Sequence, residues 1–164
     1  MQVNYADGGL RDHPSGLQNN PYFQFAWISN QLVNPRILVC PSDRSKRPAS
    51  NWGFAANGGF LHPNFQNLAV SYIVAHPFPE NGRGVLSSDR NISGVSVVTG
   101  CAFFEPAFSL PKDSTTASWD NSIHAGTGNL LFNDGSVEQT DSAGLRRSAS
   151  LPAATNPGIH FIAF

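Results

Sequence analysis

The chain has 164 residues and a mass of 17.6 kDa, a size that fits one domain, so we expect residues 1–164 to form a single unit. Ten basic and eleven acidic residues leave a net charge of −1, which provides no basic field for nucleic acid or anionic lipid. Twelve Phe, three Trp and three Tyr, with no block of like charge, exclude a disordered chain.

The amino-terminal part of the chain predicts a loop followed by a helix. Residues 1–20 are polar and Gly-rich, and we expect them to be irregular. Apolar residues at Phe25, Ile28 and Leu32 then form one helical stripe, which predicts a helix from Tyr22 to Val33. A helix of this length would offer an apolar face to a sheet.

The middle of the chain predicts short strands separated by turn-forming residues. A long irregular excursion is expected at residues 44–67, where charges, Gly and Pro are frequent. The predicted strands are Arg36–Cys40, Ala69–Ala75, Val85–Ser87 and Val95–Phe104.

The clearest local signal lies near the carboxyl end of the chain. Asp134-Gly135 is flanked by β-prone residues, and this pattern predicts a tight hairpin turn between two strands. Asp141 or Ser142 would then begin a short helix that runs to Arg147. The tail, Gly158–Phe164, is predicted to add an edge strand. These patterns predict an α+β fold, with a loop-rich antiparallel β-sheet packed on an N-terminal helix.

Two cysteines leave two interpretations open. Cys40 and Cys101 could close a loop of about 60 residues as one disulfide, or they could be separate buried thiols that behave as small apolar residues. The disulfide becomes the better interpretation if the protein is exported.

The candidate catalytic residues form a weak set. Cys40, His124 and Asp134 are the residue types of a nucleophile, a base and an orienting carboxylate. Cys40, however, follows a predicted strand instead of opening a helix that would lower its pKa. We therefore expect no catalytic residues and no enzymatic activity. A simpler role for His124 is to hydrogen-bond a turn and fix the loop that enters the hairpin.

Metal and glycan sites are also weakly indicated. The five histidines are not spaced as zinc ligands usually are, so no metal is expected. The weak alternative is calcium bound at Asp89 or Asp134. Asp in a loop more often stabilises a turn. Three tryptophans could stack on a glycan, although core positions suit them better: Trp27, Trp52 and Trp119.

Four motifs, in order, resemble one known family. The segment from His124 to Val137 looks like the H-x9-D-G signature, formed here by His124, Asp134 and Gly135, which closes the globular region of many prepilin-type, type II secretion pseudopilin-like proteins of the planctomycete and verrucomicrobial kind. The resemblance covers roughly residues 22 to 148. The other three motifs resemble the same family: Pro35–Asp43, Asn67–Val74 and Leu86–Ile92.

The resemblance implies a pseudopilin-like head and a structural role. Members of the family carry a cleaved leader and a hydrophobic helix that anchors and polymerises the subunit, and this chain shows neither before its head. We therefore expect either that Met1 is not the natural start or that the head stands alone. The resemblance implies an extracytoplasmic location, with inner-membrane anchoring only through that helix. Its implied partners are other pseudopilin subunits or secretion-machinery proteins. The alternative is a secreted domain that binds a glycan or calcium.

Overall fold

A computed structural model describes residues 21–76, 82–98, 107–151 and 158–162. The helices are α1 (Pro21–Trp27), α2 (Ser29–Leu32) and α3 (Ser142–Ala149), with 3₁₀ turns at Pro35–Leu38 and Gln66–Ala69. The strands are β1 (Tyr72–His76), β2 (Val85–Asp89), β3 (Ile92–Ser93), β4 (Ser96–Val98), β5 (Ala107–Pro111), β6 (Ser118–Trp119), β7 (Gly128–Phe132), β8 (Val137–Thr140) and β9 (Gly158–Ile162). Residues 1–20, which we predicted to be irregular, lie outside the described residues.

Seven of these strands form one antiparallel sheet in the order β4-β5-β9-β1-β2-β7-β8, while β3 pairs with β6 separately. The tail strand β9 lies in the middle of the large sheet, where it pairs with β5 on one side and with β1 on the other. The prediction of an edge strand is therefore wrong. Phe161 and Ile162 are buried, so the central position removes both apolar side chains from water.

The main core covers one face of the large sheet. Alternating residues of its strands point into this core, and α3 and the small sheet cover them from the other side. The largest of its fully buried members are Ile73, Leu110, Leu130, Phe132, Leu145 and Phe161, each with 0% of its surface exposed.

The predicted fold class is wrong, because the described chain is mostly antiparallel sheet with a few short helices. The helix predicted from Tyr22 to Val33 is divided at Ile28 into α1 and α2, and it does not pack on the sheet as a continuous layer. Five of its apolar residues instead join a second core: Tyr22, Phe23, Phe25, Ala26 and Leu32. Tyr22, for example, packs edge-on against Phe60, with ring centroids 6.2 Å apart.

This second core explains why α1 does not pack on the sheet. It is formed by residues 35–70, which include the excursion predicted at residues 44–67 and which bury Leu38, Phe60 and Val70 against α1. A helix of seven residues has too little surface to cover a seven-stranded sheet, and the aromatic side chains of the excursion offer it a closer partner. The excursion thus replaces the sheet as the main support of α1.

The chain turns sharply after α2 at Val33. The φ of Val33 is +58° and its ψ is −53°, and the N–H of Asn34 donates to the carbonyl of Leu32, which closes a γ-turn. A β-branched residue rarely adopts positive φ, so this turn is strained. The indole Nε1 of Trp52 donates to the Val33 carbonyl at 2.9 Å and holds the turn in place.

The segment predicted as a strand at Arg36–Cys40 begins instead as the 3₁₀ turn Pro35–Leu38. The side-chain oxygen of Asn34 accepts a hydrogen bond from the N–H of Arg36 at 3.0 Å, and Pro35 occupies the first helical position. Both features favour a helical turn.

The hairpin and its following helix are confirmed. Leu131 lies opposite Val137, and Gly135 in the turn has a φ of +82°. Asp141 caps α3, since its carboxylate accepts from the N–H of Gly144 at 2.7 Å. Across the described ranges, no helix has the length and apolar character needed to cross a membrane.

Candidate functional site

The loop that carries His124 is shaped by local hydrogen bonds. The carbonyl of His124 accepts from both the N–H and the hydroxyl of Thr127, at 3.2 and 2.8 Å. Between them, Ala125 and Gly126 both have positive φ, at 51° and 82°. This tight loop delivers the chain into β7 and turns the His124 imidazole back towards the body of the protein.

The imidazole meets two side chains from distant parts of the sequence. Its Nε2 lies 3.4 Å from Sγ of Cys40 and 3.5 Å from Oδ2 of Asp89. Cys40 follows the 3₁₀ turn, and Asp89 ends β2. Two members of the catalytic set suggested by the sequence, Cys40 and His124, are thus in contact, but the carboxylate beside them is Asp89 instead of Asp134.

The geometry differs from that of a nucleophile–base–acid relay. In a relay, the nucleophile and the orienting carboxylate bind opposite nitrogens of the imidazole. Here Cys40 and Asp89 both face Nε2 of His124, and Cys40 is buried with 6% of its surface exposed. The three side chains form a buried polar network that joins β2, the His124 loop and the segment after the 3₁₀ turn.

Asp89 is the most buried charged group of this network, with 1% of its surface exposed. Its Oδ2 accepts from the backbone N–H of Asn129 at 2.6 Å and from the side-chain amide of Asn129 at 2.9 Å. Its Oδ1 has no hydrogen-bond partner among the described residues. Burial raises the pKa of Asp89, and the bonds from Asn129 and the nearby His124 oppose that rise only in part.

A cleft of about 350 Å³ opens beside Asp89 on the sheet face opposite the main core. Adjacent strands place their side chains in rows there, with Tyr72 opposite Asp89 and Ser87 opposite Leu131. Its polar and apolar lining residues are Phe25, Tyr72, Ser87, Ser88, Asp89, Asn129, Leu131 and Val137. The cleft therefore lies between α1 and the sheet, where the sequence predicted close packing of helix on sheet.

Asp134 and Gly135 lie at the far end of β7 from His124. The carboxylate of Asp134 accepts from the N–H and the hydroxyl of Ser136 at 2.8 and 2.6 Å, and these bonds, with Arg83, lower its pKa. Arg83 also lies over the ring of Phe132, 3.7 Å from its centroid. Asp134 thus stabilises the hairpin turn at the surface.

The two weak calcium candidates do not come together. Asn129 binds Asp89, and β7 continues from Asn129 for three more residues, roughly 10 Å, before the turn that contains Asp134. Within the described part of the chain, no group of three or more His, Cys, Asp or Glu side chains is arranged to hold a metal ion.

The remaining candidates are scattered. Cys40 is buried and forms no disulfide with any described residue, and Cys101 lies outside the described residues, so their pairing stays a prediction. Trp119 belongs to the main core, whereas Trp27 is 46% exposed on α1. Trp52 packs on Phe60, with ring centroids 4.9 Å apart.

Sequence reasoning missed a second buried charge pair. Both carboxylate oxygens of Asp43 accept from Arg90, at 2.7 and 2.8 Å, and Asp43 is 3% exposed. Burial by itself would raise the pKa of Asp43, but the hydrogen bonds from Arg90 and Ser45 outweigh it and lower the pKa to about 2. Burial, with Arg90 nearby, also lowers the pKa of Lys46 to about 8.

A signal for this pair exists in the sequence. Asp43 ends the motif Pro35–Asp43, and Arg90 lies within the motif Leu86–Ile92. Two of the four motifs that resemble the family therefore meet in space through this ion pair. Asn129, which binds Asp89, lies within the motif from His124 to Val137.

No family model, curated protein or solved structure matches the chain in comparisons of sequence and fold.

Proposed function

We propose that this chain is the extracytoplasmic head of a structural subunit in a type II secretion or type IV pilus-like envelope assembly. Its partners would be other subunits of the same kind or proteins of the secretion machinery. The proposal rests on the ordered motifs and on what their residues do. It does not rest on the fold class.

The observation that carries the proposal is the structural role of the signature residues. His124 joins the loop before β7 to Cys40 and Asp89, and Asp134 with Gly135 forms the turn after β7. Each therefore holds one end of the same strand, which is a structural task. A catalytic signature would instead gather its residues around one reacting centre.

A second observation supports contacts with neighbouring subunits. Four apolar side chains within residues 27–37 are exposed, by 43% to 78%: Trp27, Ile28, Val33 and Ile37. Exposed apolar residues close together along one segment are typical of surfaces that meet other proteins. We call these four residues the amino-terminal apolar segment.

The first experiment is to purify the protein from its source cells and to identify its mature N-terminus by mass spectrometry. The proposal predicts a processed, N-methylated residue followed by a hydrophobic helix that precedes the head. An unmethylated N-terminus on a freely soluble protein would contradict the assembly role and favour the secreted binding domain.

A second experiment tests the surface. In the source cells, Ile37→Arg should reduce the amount of protein that is recovered in cross-linked multimers. The matched control is Val97→Arg, since Val97 is exposed to a similar degree, 60% against 53%, but lies on strand β4 far along the chain. Equal multimer yields from the two variants would contradict a role for the amino-terminal apolar segment.

A further inference from the structure

We infer that strand β8, at the edge of the seven-stranded sheet, binds an extended segment of another protein as a further antiparallel strand. The segment carries an apolar residue opposite Val137 and, three positions before it, an acidic residue opposite Thr140. This surface is separate from the amino-terminal apolar segment, so the inference does not depend on the assembly role.

The first argument is the hydrogen-bond pattern of the β7–β8 hairpin. The N–H of Phe132 donates to the carbonyl of Ser136 at 2.9 Å, just before the paired residues of β8 begin. In an antiparallel ladder, only every second pair of opposite residues exchanges hydrogen bonds. Counted from Phe132 and Ser136, the residues of β8 that bond to β7 are therefore Glu138 and Thr140.

The main chain of the other two β8 residues is left open. The N–H and carbonyl groups of Val137 and Gln139 point away from β7, and neither residue has another main-chain partner among those the structure describes. A row of unpaired donors and acceptors at a sheet edge is a template for a further strand. Segments that add to an edge in this way gain affinity from main-chain hydrogen bonds and specificity from alternate side chains.

The second argument is the apolar surface on one side of this edge. Directly opposite residues share a sheet face, so Val137 lies with Leu131, and both line the cleft of about 350 Å³ under Phe25 and Tyr72. Val137 is 63% exposed at the rim of this cleft. A residue opposite Val137 on an added strand projects to the same face, where an apolar side chain removes Val137 from water.

The third argument is an uncompensated charge on the other side of the edge. Glu138 and Thr140 line a groove of about 270 Å³ beside α3. Arg147 of α3 also lines this groove and is exposed, and its guanidinium has no hydrogen bond or ion pair among the described residues. Arg83, in contrast, is already paired with Asp134 and Glu138.

This charge selects an acidic residue in the partner and sets its position. An acidic side chain opposite Thr140 projects to the α3 side, where it can pair with Arg147. Opposite Glu138 it would meet a like charge, which is unfavourable between neighbouring strands. The partner segment therefore has the pattern acidic-x-x-apolar.

The test uses the full chain and the synthetic peptide acetyl-Ser-Glu-Thr-Thr-Phe-Thr-Ser-amide at neutral pH. We expect saturable changes in the amide NMR spectrum and slower hydrogen exchange at Val137 and Gln139, because their N–H groups gain acceptors. Exchange at Glu138 and Thr140 should change much less, since these N–H groups already bond to β7. The absence of saturable changes at about 1 mM peptide, or equal slowing at all four positions, would overturn the inference.

A change in the peptide backbone tests the added strand directly. Methylation of the Phe amide nitrogen removes the donor that pairs with the Val137 carbonyl, and we expect binding at least about tenfold weaker. Equal binding of the two peptides would contradict an added strand.

The charge is tested by a matched pair of protein variants. Replacing Glu by Gln in the peptide should weaken binding about threefold, as expected for an exposed ion pair. Arg147→Ala should weaken binding of the Glu peptide to the same extent and leave the Gln peptide unaffected. The control is Arg44→Ala, which removes an exposed arginine outside the groove and should bind both peptides like the unchanged protein. Equal effects of Arg147→Ala and Arg44→Ala would contradict the position assigned to the acidic residue.

The edge itself is tested at Gln139. The N–H of Gln139 points away from β7, so Gln139→Pro removes no ladder hydrogen bond but takes a donor from the edge, and we expect no measurable binding. The control is Gln139→Ala, which keeps the N–H and should bind like the unchanged protein. If Gln139→Pro, with a dispersed amide spectrum, binds the peptide normally, the edge is not the site. If the unchanged protein is a dimer and Gln139→Pro a monomer, a second copy occupies the edge and the inference is also wrong.

Discussion

Gly128 lies against the indole ring of Trp119 so closely that a β-carbon at position 128 would stand 2.5 Å from both Cε3 and Cζ3 of the ring. The indole cannot move away easily. It is 4% exposed, and its Nε1 donates to the hydroxyl of Thr140 at 3.2 Å. This contact holds β7 of the large sheet against β6 of the small one, and it fixes the strand that follows the His124 loop.

Replacing Gly128 by Ala should therefore destabilise the protein. We expect the free energy of unfolding to fall by about 1–3 kcal/mol, the usual cost of forcing extra atoms into a packed site. Urea denaturation followed by tryptophan fluorescence measures this change. An unchanged urea midpoint would show that the indole ring can shift.

Gly135 provides a contrast, because a side chain at this position is disfavoured by the backbone conformation and not by a lack of space. A β-carbon at this position meets nothing within 4 Å, but φ is +82°. We expect Gly135→Ala to lower the free energy of unfolding by about 1 kcal/mol and Gly135→Asn to lower it less, since Asn tolerates positive φ. At Gly128, Asn should be no better than Ala. The same ranking of Ala and Asn at both positions would contradict this distinction.

The buried pair of Arg90 and Asp43 should be essential for stability. Arg90→Met would leave the Asp43 carboxylate buried without its two hydrogen bonds from the guanidinium, and we expect the free energy of unfolding to fall by about 3–5 kcal/mol. Glu138→Gln is the control, because it removes a partner of Arg83 at the surface, where solvent screens the interaction. Chemical denaturation of both variants should show a much smaller change for Glu138→Gln.

The same pair predicts a pH dependence. The folded-state pKa of Asp43 is about 2, below the ordinary value of 3.8, so its contribution to stability is complete above 3.8 and is lost as the pH falls towards 2. The urea midpoint should decrease over this interval. In Arg90→Met the pKa of Asp43 should rise. The decrease of the urea midpoint with falling pH should then become shallower or reverse. Parallel pH profiles for the two proteins would contradict the assignment.

Asp89 should act in the opposite direction, because its pKa is raised. The folded state then holds its proton more firmly than the unfolded state, so this group favours folding at acid pH and loses that contribution as the pH rises through its folded-state pKa. In Asp89→Asn, the pH profile of stability should therefore lose the decrease that Asp89 causes as the pH rises. Direct titration of the Asp89 carboxyl carbon by NMR checks the direction of the shift, and a midpoint below the ordinary value would contradict it.

Replacing the strained Val33 by Gly should stabilise the protein. Relief of the positive φ is worth about 1–3 kcal/mol, and the greater freedom of Gly in the unfolded chain offsets about 0.5–1 kcal/mol of that. We expect a net gain of about 1 kcal/mol, measured by thermal or urea unfolding. The matched control is Val97→Gly, an equally small change at an exposed strand position, which should cost about 1 kcal/mol. A loss of stability in both variants would show that Val33 is not strained.

Local signals in the sequence determined the carboxyl-terminal elements. Asp134-Gly135 predicted the hairpin turn, and Asp141 predicted the start of α3, because each feature depends on residues within a few positions of one another. The alternation of apolar residues likewise located β1, which begins three residues later and ends one residue later than predicted. The strand predicted at Val85–Ser87 is β2, which extends two residues further. The sequence predicted that His124 would hydrogen-bond a turn, whereas in the structure its carbonyl accepts from Thr127 and its imidazole contacts Cys40 and Asp89.

Only the tertiary structure decided which elements lie beside each other. Nothing within the tail shows that β9 would enter the middle of the sheet, since its apolar residues suit an edge or a centre equally well. The position of α1 depended on aromatic residues of the excursion that are distant in the chain, such as Phe60, which lies 38 residues after its contact Tyr22.

The candidate site was decided in the same way. The sequence grouped Cys40 with His124 and singled out Asp89 only as a weak calcium candidate. The contact of all three requires three segments to fold together, and Asn129 becomes important only because β7 pairs with β2. The cleft exists because α1 packs on the excursion and leaves one sheet face partly uncovered. Hydrogen bonds within a turn are fixed by neighbouring residues, whereas strand order and buried polar networks depend on contacts between distant ones.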